Sequence, residues 1–219
     1  MNEPFGNIFG LKPSELKQLR NTWKRRVSVH EIVSPELASH LCELSRQTHR
    51  QVGVLISRKG DVEQVIVGNA HQLELPDIGR ARAGQVRLRG LRLVHTHLKS
   101  EPLTRDDLTD LALLRLDLVA AIGVKDDGLP GVLHYAHLVP QNRDGALWRM
   151  ETLPSVHEGQ PDFEATVNAL EDELAQTTRL RKVGDRERAV LVAVCLDGDR
   201  DAAEASLHEL KELARTAGV

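Results

Sequence analysis

His95-Thr96-His97 places two imidazoles two residues apart in the chain. On a β-strand, residues two apart project from one face. The preceding run Leu91-Arg92-Leu93-Val94 reads as that strand. A polar loop containing Pro102 follows, and Thr104 can then cap a helix over residues 105–116 whose first turn carries Asp107. Two neutral imidazoles, one carboxylate and a water in the open position make a three-ligand site suited to zinc. The alternative is a pair of histidines at a strand end, hydrogen-bonded or solvated. Spacing this short does not separate the two readings.

The elements that must position these residues follow from pattern. Residues 13–24 read as a helix with Ser14 as cap and Leu16, Leu19 and Trp23 at helical spacing. Ser34-Pro35-Glu36 starts a second helix that runs to about Thr48 and turns Leu37, Leu41, Cys42 and Leu44 inward. Residues 51–57 and 62–67 form a hairpin around Lys59-Gly60-Asp61. Residues 68–90 are mostly loop. Residues 117–124 and 132–139 pair around Asp126-Asp127-Gly128, and residues 146–153 add a last strand. The order predicts an α/β domain with a mixed sheet over residues 1–150. Residues 151–187 read as a linker, centred on 154–161, and a helix over 162–181. Residues 188–196 form a nearly continuous apolar run, the mark of a strand buried on both faces. An amphipathic helix over 201–216 follows, with Leu207, Leu210 and Leu213. This βα unit is incomplete, so the chain is expected to be truncated there or to join a sheet from elsewhere.

Composition sets the class. The 219 residues carry a net charge of -3, with 41% hydrophobic and 28% charged residues, ordinary for a globular chain. Aromatics make up only 3%, so the core must be built from Leu, Val, Ile and Ala. No apolar run approaches the roughly 20 residues of a membrane span, and the N-terminus lacks a secretory signal. Cys42 and Cys195 lie far apart in regular segments and read as thiols, which fits the cytoplasm.

Arg80, Arg82, Arg87, Arg89 and Arg92 cluster without an intervening acid. They read either as contacts to RNA phosphates or as a solvated loop paired with acidic helices. No interleaved aromatics offer a stacking platform. There is no G-x-x-x-x-G-K-[ST] loop, so no nucleotide-binding residue is assigned. His134 and His137 stand at odd spacing on one strand, which sets them on opposite faces, one in the core and one exposed.

His95-Thr96-His97 followed by Thr104-x-x-Asp107 resembles the JAMM metalloprotease signature and its RadC relative. That resemblance implies a mixed-sheet fold and a zinc ion on His95, His97 and Asp107, with hydrolysis as the associated activity. Four departures stand out. Six residues rather than seven separate His97 from Thr104, and Thr replaces Ser. Leu98 stands where Pro is usual. Arg50 of Arg50-Gln51-Val52-Gly53 stands where the family has its glutamate base, and a guanidinium accepts no proton at neutral pH. No catalytic residue is therefore assigned. Glu43 and Glu63 are the nearest acids that could replace the base, and both read as exposed residues. Residues 188–219, from Arg188-Ala-Val-Leu-Val-Ala-Val to the helix starting at Glu204, resemble the start of the N-terminal domain of HflX-type GTPases. Long bacterial members carry an extra domain before this point, similar to residues 1–150. The resemblance implies a regulatory, ribosome-docking region of a GTPase that splits or rescues stalled ribosomes. Its partners would be the 50S subunit with its ribosomal RNA and a downstream GTPase domain. GTP and magnesium would bind in that downstream G domain.

Overall fold

The computed structural model describes residues 3–79, 87–140, 147–182, 190–193 and 200–216. Contacts divide the chain into two units, Met1–Thr177 and Thr178–Val219. In chain order the elements are β1 (Phe5–Gly6), α1 (Pro13–Asn21) with a 3-10 turn (Thr22–Lys24), α2 (Pro35–Thr48), β2 (Val52–Ser57), β3 (Val62–Val67), β4 (Leu91–His97), α3 (Arg105–Leu114), β5 (Leu118–Val124), β6 (Pro130–Leu138), β7 (Trp148–Leu153), α4 (Phe163–Lys182) and α5 (Arg200–Thr216). The first unit is a mixed α/β fold.

Its seven strands form one sheet in the order β1-β3-β2-β4-β5-β6-β7. β4 and β5 run parallel, as do β1 and β3. The other neighbours are antiparallel. The parallel pair requires a crossover, and α3 supplies it. Alternation along β4 sorts the layers. Thr96 Oγ1 bonds Ser45 of α2 at 2.9 Å, whereas His95 and His97 face Asp107 of α3. The two helices therefore cover opposite faces, and every residue of β5 between them is buried.

The helix starts are capped as local chemistry requires. Ser34 Oγ accepts from Leu37 N at 3.3 Å, with Pro35 at the first helical position. α1 differs from expectation: its cap is Lys12, not Ser14, because Pro13 takes the first position. Lys12 N donates to Glu15 Oε2 at 2.7 Å. Leu37, Leu41, Cys42 and Leu44 are all fully buried, as the pattern predicts.

Residues 154–161 are no loose tether, despite their linker composition. Val156 is buried, and the Gln160 amide accepts from Ile32 N and Val33 N and donates to Val33 O. The segment is polar because it satisfies the backbone of the loop before α2. Beyond it, Phe163, Val167 and Leu170 of α4 are also buried. In the second unit the expected strand over 188–196 is described only at 190–193. Those residues form no ladder, and Val190 and Val192 are 89% and 73% exposed. No strand among the described residues pairs with them. Cys195 lies outside the described residues. Leu210 and Leu213 of α5 are exposed.

Arg92 ties the α2 face together. Its side chain is fully buried, and its guanidinium donates to the carbonyls of Ile32 (3.0 Å), Ser57 (3.1 Å) and Ser28 (3.4 Å). It also stacks over the Phe163 ring at 4.1 Å. Burial pulls its pKa down to about 10, leaving it charged at neutral pH. Arg92→Met strands three acceptors and should cost about 3 kcal/mol in urea unfolding. Arg92→Lys should recover little, because an ammonium lacks the planar fork.

His40 on α2 meets Thr22 Oγ1 at 3.0 Å, and burial, helped by Arg25, lowers its pKa to about 4. The unfolded chain binds a proton below its ordinary value of 6.5 that the folded chain refuses. This contribution to stability is present above that value and is lost as pH falls toward 4. His40→Gln should flatten the dependence of the urea midpoint across that window.

Candidate metal centre

The site forms where β4 ends and α3 begins. His95 and His97 are 0% and 1% exposed, and Asp107 is 13% exposed, so the cluster opens on the helix side. One ligand atom from each residue lies within 4.8 Å of the others. His95 Nε2 stands 3.4 Å from Asp107 Oδ1, and His97 Nε2 stands 3.6 Å from Asp107 Oδ2. Tetrahedral ligands about 2.1 Å from zinc are about 3.4 Å from one another. The two imidazole–carboxylate distances, to different oxygens of Asp107, are near that spacing, while the set as a whole spans up to 4.8 Å and would draw together around an ion.

Two of the three ligands are held by hydrogen bonds. His97 Nδ1 meets the Glu101 carbonyl at 2.8 Å. A carbonyl only accepts, so Nδ1 carries the proton and Nε2 presents its lone pair. Asp107 Oδ2 accepts from Thr104 N at 2.7 Å and Thr104 Oγ1 at 2.8 Å, a capping box that anchors the carboxylate. Thr104 thus caps α3, as the sequence predicts.

His95 has no hydrogen-bond partner on either ring nitrogen. Its contact with Asp107 resembles an ion pair, but burial pushes its pKa below the ordinary value, which favours the neutral ring. A neutral imidazole buried without a partner is costly to keep and is the state a metal takes up. The residues present therefore fit a divalent ion.

The base position is different. Arg50 is turned away: its guanidinium donates to the carbonyls of Asn7 and Phe9. The carboxylate of Glu43 is engaged by Arg46 and Gln47 on α2. Glu63 is exposed on β3.

Two residues on the site's face escaped the sequence pattern. Gln51, just before β2, is 1% exposed. His134 on β6 shares the His95 face, because His95 pairs with Ala121 and Ala121 pairs with His134. His134 Nδ1 meets Thr152 Oγ1 at 2.9 Å. Neither His134 nor His137 is core; both are half-buried. Only cross-strand register reveals either placement, since Gln51 and His134 stand far from His95 in the chain.

Beside the cluster, residues 72–76 and α3 enclose a cleft of about 500 Å³. Glu74, Asp106 and Asp110 line it, and burial with neighbouring Asp107 and Asp106 raises the Asp110 pKa to about 6.

The arginine cluster does not act as one patch. The side chain of Arg92 is internal and cannot meet a phosphate. Arg89 donates to the carbonyls of Leu114, Ile78 and Gly79 at 2.6–2.8 Å, pinning residues 78–79 to the end of α3. Arg87 is exposed, and Arg80 and Arg82 lie outside the described residues.

Comparison with protein-family models, with curated proteins and with solved structures gives no match. No helix among the described residues is long and apolar enough to cross a membrane.

The full chain should retain about one zinc per molecule after dialysis. Elemental analysis should show the metal lost in His95→Ala and kept in Arg50→Ala.

Proposed function

We propose that the first unit is a zinc-holding module in which Arg50 takes the position expected of the base. In this reading it serves as the regulatory, ribosome-docking region of an HflX-type GTPase. The observation that carries the first part is the His95–His97–Asp107 cluster with Arg50 bonded elsewhere. Zinc in such a site supplies Lewis acidity and a template for ligands. Hydrolysis also needs a group to take the proton, and a guanidinium does not. The JAMM/RadC-like identity of the fold rests on the same signature, with the mixed sheet and the capped helix in compatible places. The GTPase part rests on the likeness of residues 188–219; α5, Arg200–Thr216, is compatible with the helix of that pattern. GTP and magnesium would belong to a G domain outside these residues, and the cytoplasm is the matching compartment.

The ribosome contact falls to Arg80, Arg82 and Arg87, since Arg89 and Arg92 are occupied internally. The full chain should co-sediment with 50S subunits, less so as salt rises. Changing these three arginines to Gln should weaken the association. Absence of co-sedimentation at low salt would remove the docking role.

A second reading, a zinc-dependent JAMM-like hydrolase using His95, His97 and Asp107, is favoured by the ligand geometry alone. Amide hydrolysis that tracks zinc content and vanishes in His95→Ala would establish it.

A further inference from the structure

Four buried side-chain nitrogens lack a hydrogen-bond partner among the described residues: Gln51 Nε2, both ring nitrogens of His95, and Arg115 Nε. Gln51 and His95 share one face of the sheet. Gly53 pairs with His95 in the antiparallel β2–β4 ladder. Two residues back, Gln51 falls opposite His97, on the face of both histidines. Gln51 stays bonded at this end of the sheet: its N donates to Asn69 O at 2.8 Å and its O accepts from Gly68 N at 2.9 Å, one residue before β2 against two past β3, so the extra residue of this irregularity lies on the β3 side. Arg50 reaches back to residues 7 and 9, and Val52 N bonds the Thr96 hydroxyl of the opposite face. The Gln51 amide is thus the polar group that β2 offers to the ligand cluster.

Charge decides what it meets there. A divalent ion with two neutral imidazoles and one carboxylate keeps one uncompensated positive charge in a buried place. A glutamate on β2 would neutralise it, but a carboxamide does not. The remaining charge favours a monoanion in the fourth position, and an unpartnered amide N–H favours an oxygen acceptor beside it. A small carboxylate satisfies both, with one oxygen on the ion and the other accepting from the amide. A carboxamide takes no proton at neutral pH, so the arrangement retains an anion and does not activate water.

We propose that Gln51 is the ligand-holding residue of the metal centre, which through it binds a small carboxylate. This rests on the zinc reading above. The test loads the full chain with cobalt(II) and titrates acetate, following the visible absorption of the ion. The unaltered chain should bind one cobalt and shift its band with acetate. Gln51→Met should keep the cobalt and lose about tenfold in acetate affinity. Gln51→Glu should abolish the acetate response, because its own carboxylate supplies the charge; this variant decides the matter if Gln51→Met does not fold. Failure of the unaltered chain to bind cobalt overturns the metal centre and the proposal together. Cobalt binding with no acetate response in the unaltered chain, or with acetate affinity unchanged in the variants, overturns the role of Gln51 alone.

Discussion

The absence of a side chain at Gly53 governs the α3 face of the sheet. A Cβ there would lie 3.0 Å from the His95 Cβ and 3.1 Å from a Leu73 methyl. Such contacts are tighter than close-packed interiors normally hold. With hydrogen in that place, Leu73 closes over the strand pair beside His95. Residues 72–76 are thereby drawn along α3 to form the wall of the cleft. A larger residue at 53 would displace either the leucine or the imidazole.

β4 serves two purposes through simple alternation. Its odd residues present Leu93, His95 and His97 to α3. Its even residues present Arg92, Val94 and Thr96 to the opposite face. There Thr96 Oγ1 joins α2 to β2 through Ser45 Oγ and Val52 N. The imidazoles are fixed because the other face of the strand is anchored by a guanidinium and a hydroxyl. Metal ligands on a rigid central strand need little reorganisation on binding, which is the arrangement a preformed site requires.

Much of this was legible in the chain. Ser34-Pro35-Glu36 announces its helix because cap and proline chemistry are local. The hairpins follow from β-branched runs around Asp and Gly turns. The ligand trio was legible because strand period and helix cap fix His95, His97 and Asp107 separately. What sequence could not show depends on partners distant in the chain. Arg92 reads as one more basic residue of a loop cluster until Ile32, Ser57 and Phe163 surround it. Residues 154–161 read as linker because their composition is polar, yet Gln160 spends that polarity on the backbone of Ile32 and Val33. Gln51 looks featureless until it is found buried just before β2, the strand whose Gly53 pairs with His95.

The capping box at Thr104 links the site to the folding of α3. One oxygen of Asp107 closes the helix's first turn, and the other faces His95 at 3.4 Å. The carboxylate is therefore held in place by the same bonds that nucleate the helix, before any ion arrives. Ligand geometry and helix initiation share one thermodynamic step, so the start of α3 and the occupancy of the centre are linked functions. An ion bound there lends its affinity to the first turn, and a frayed first turn withdraws a ligand from the ion.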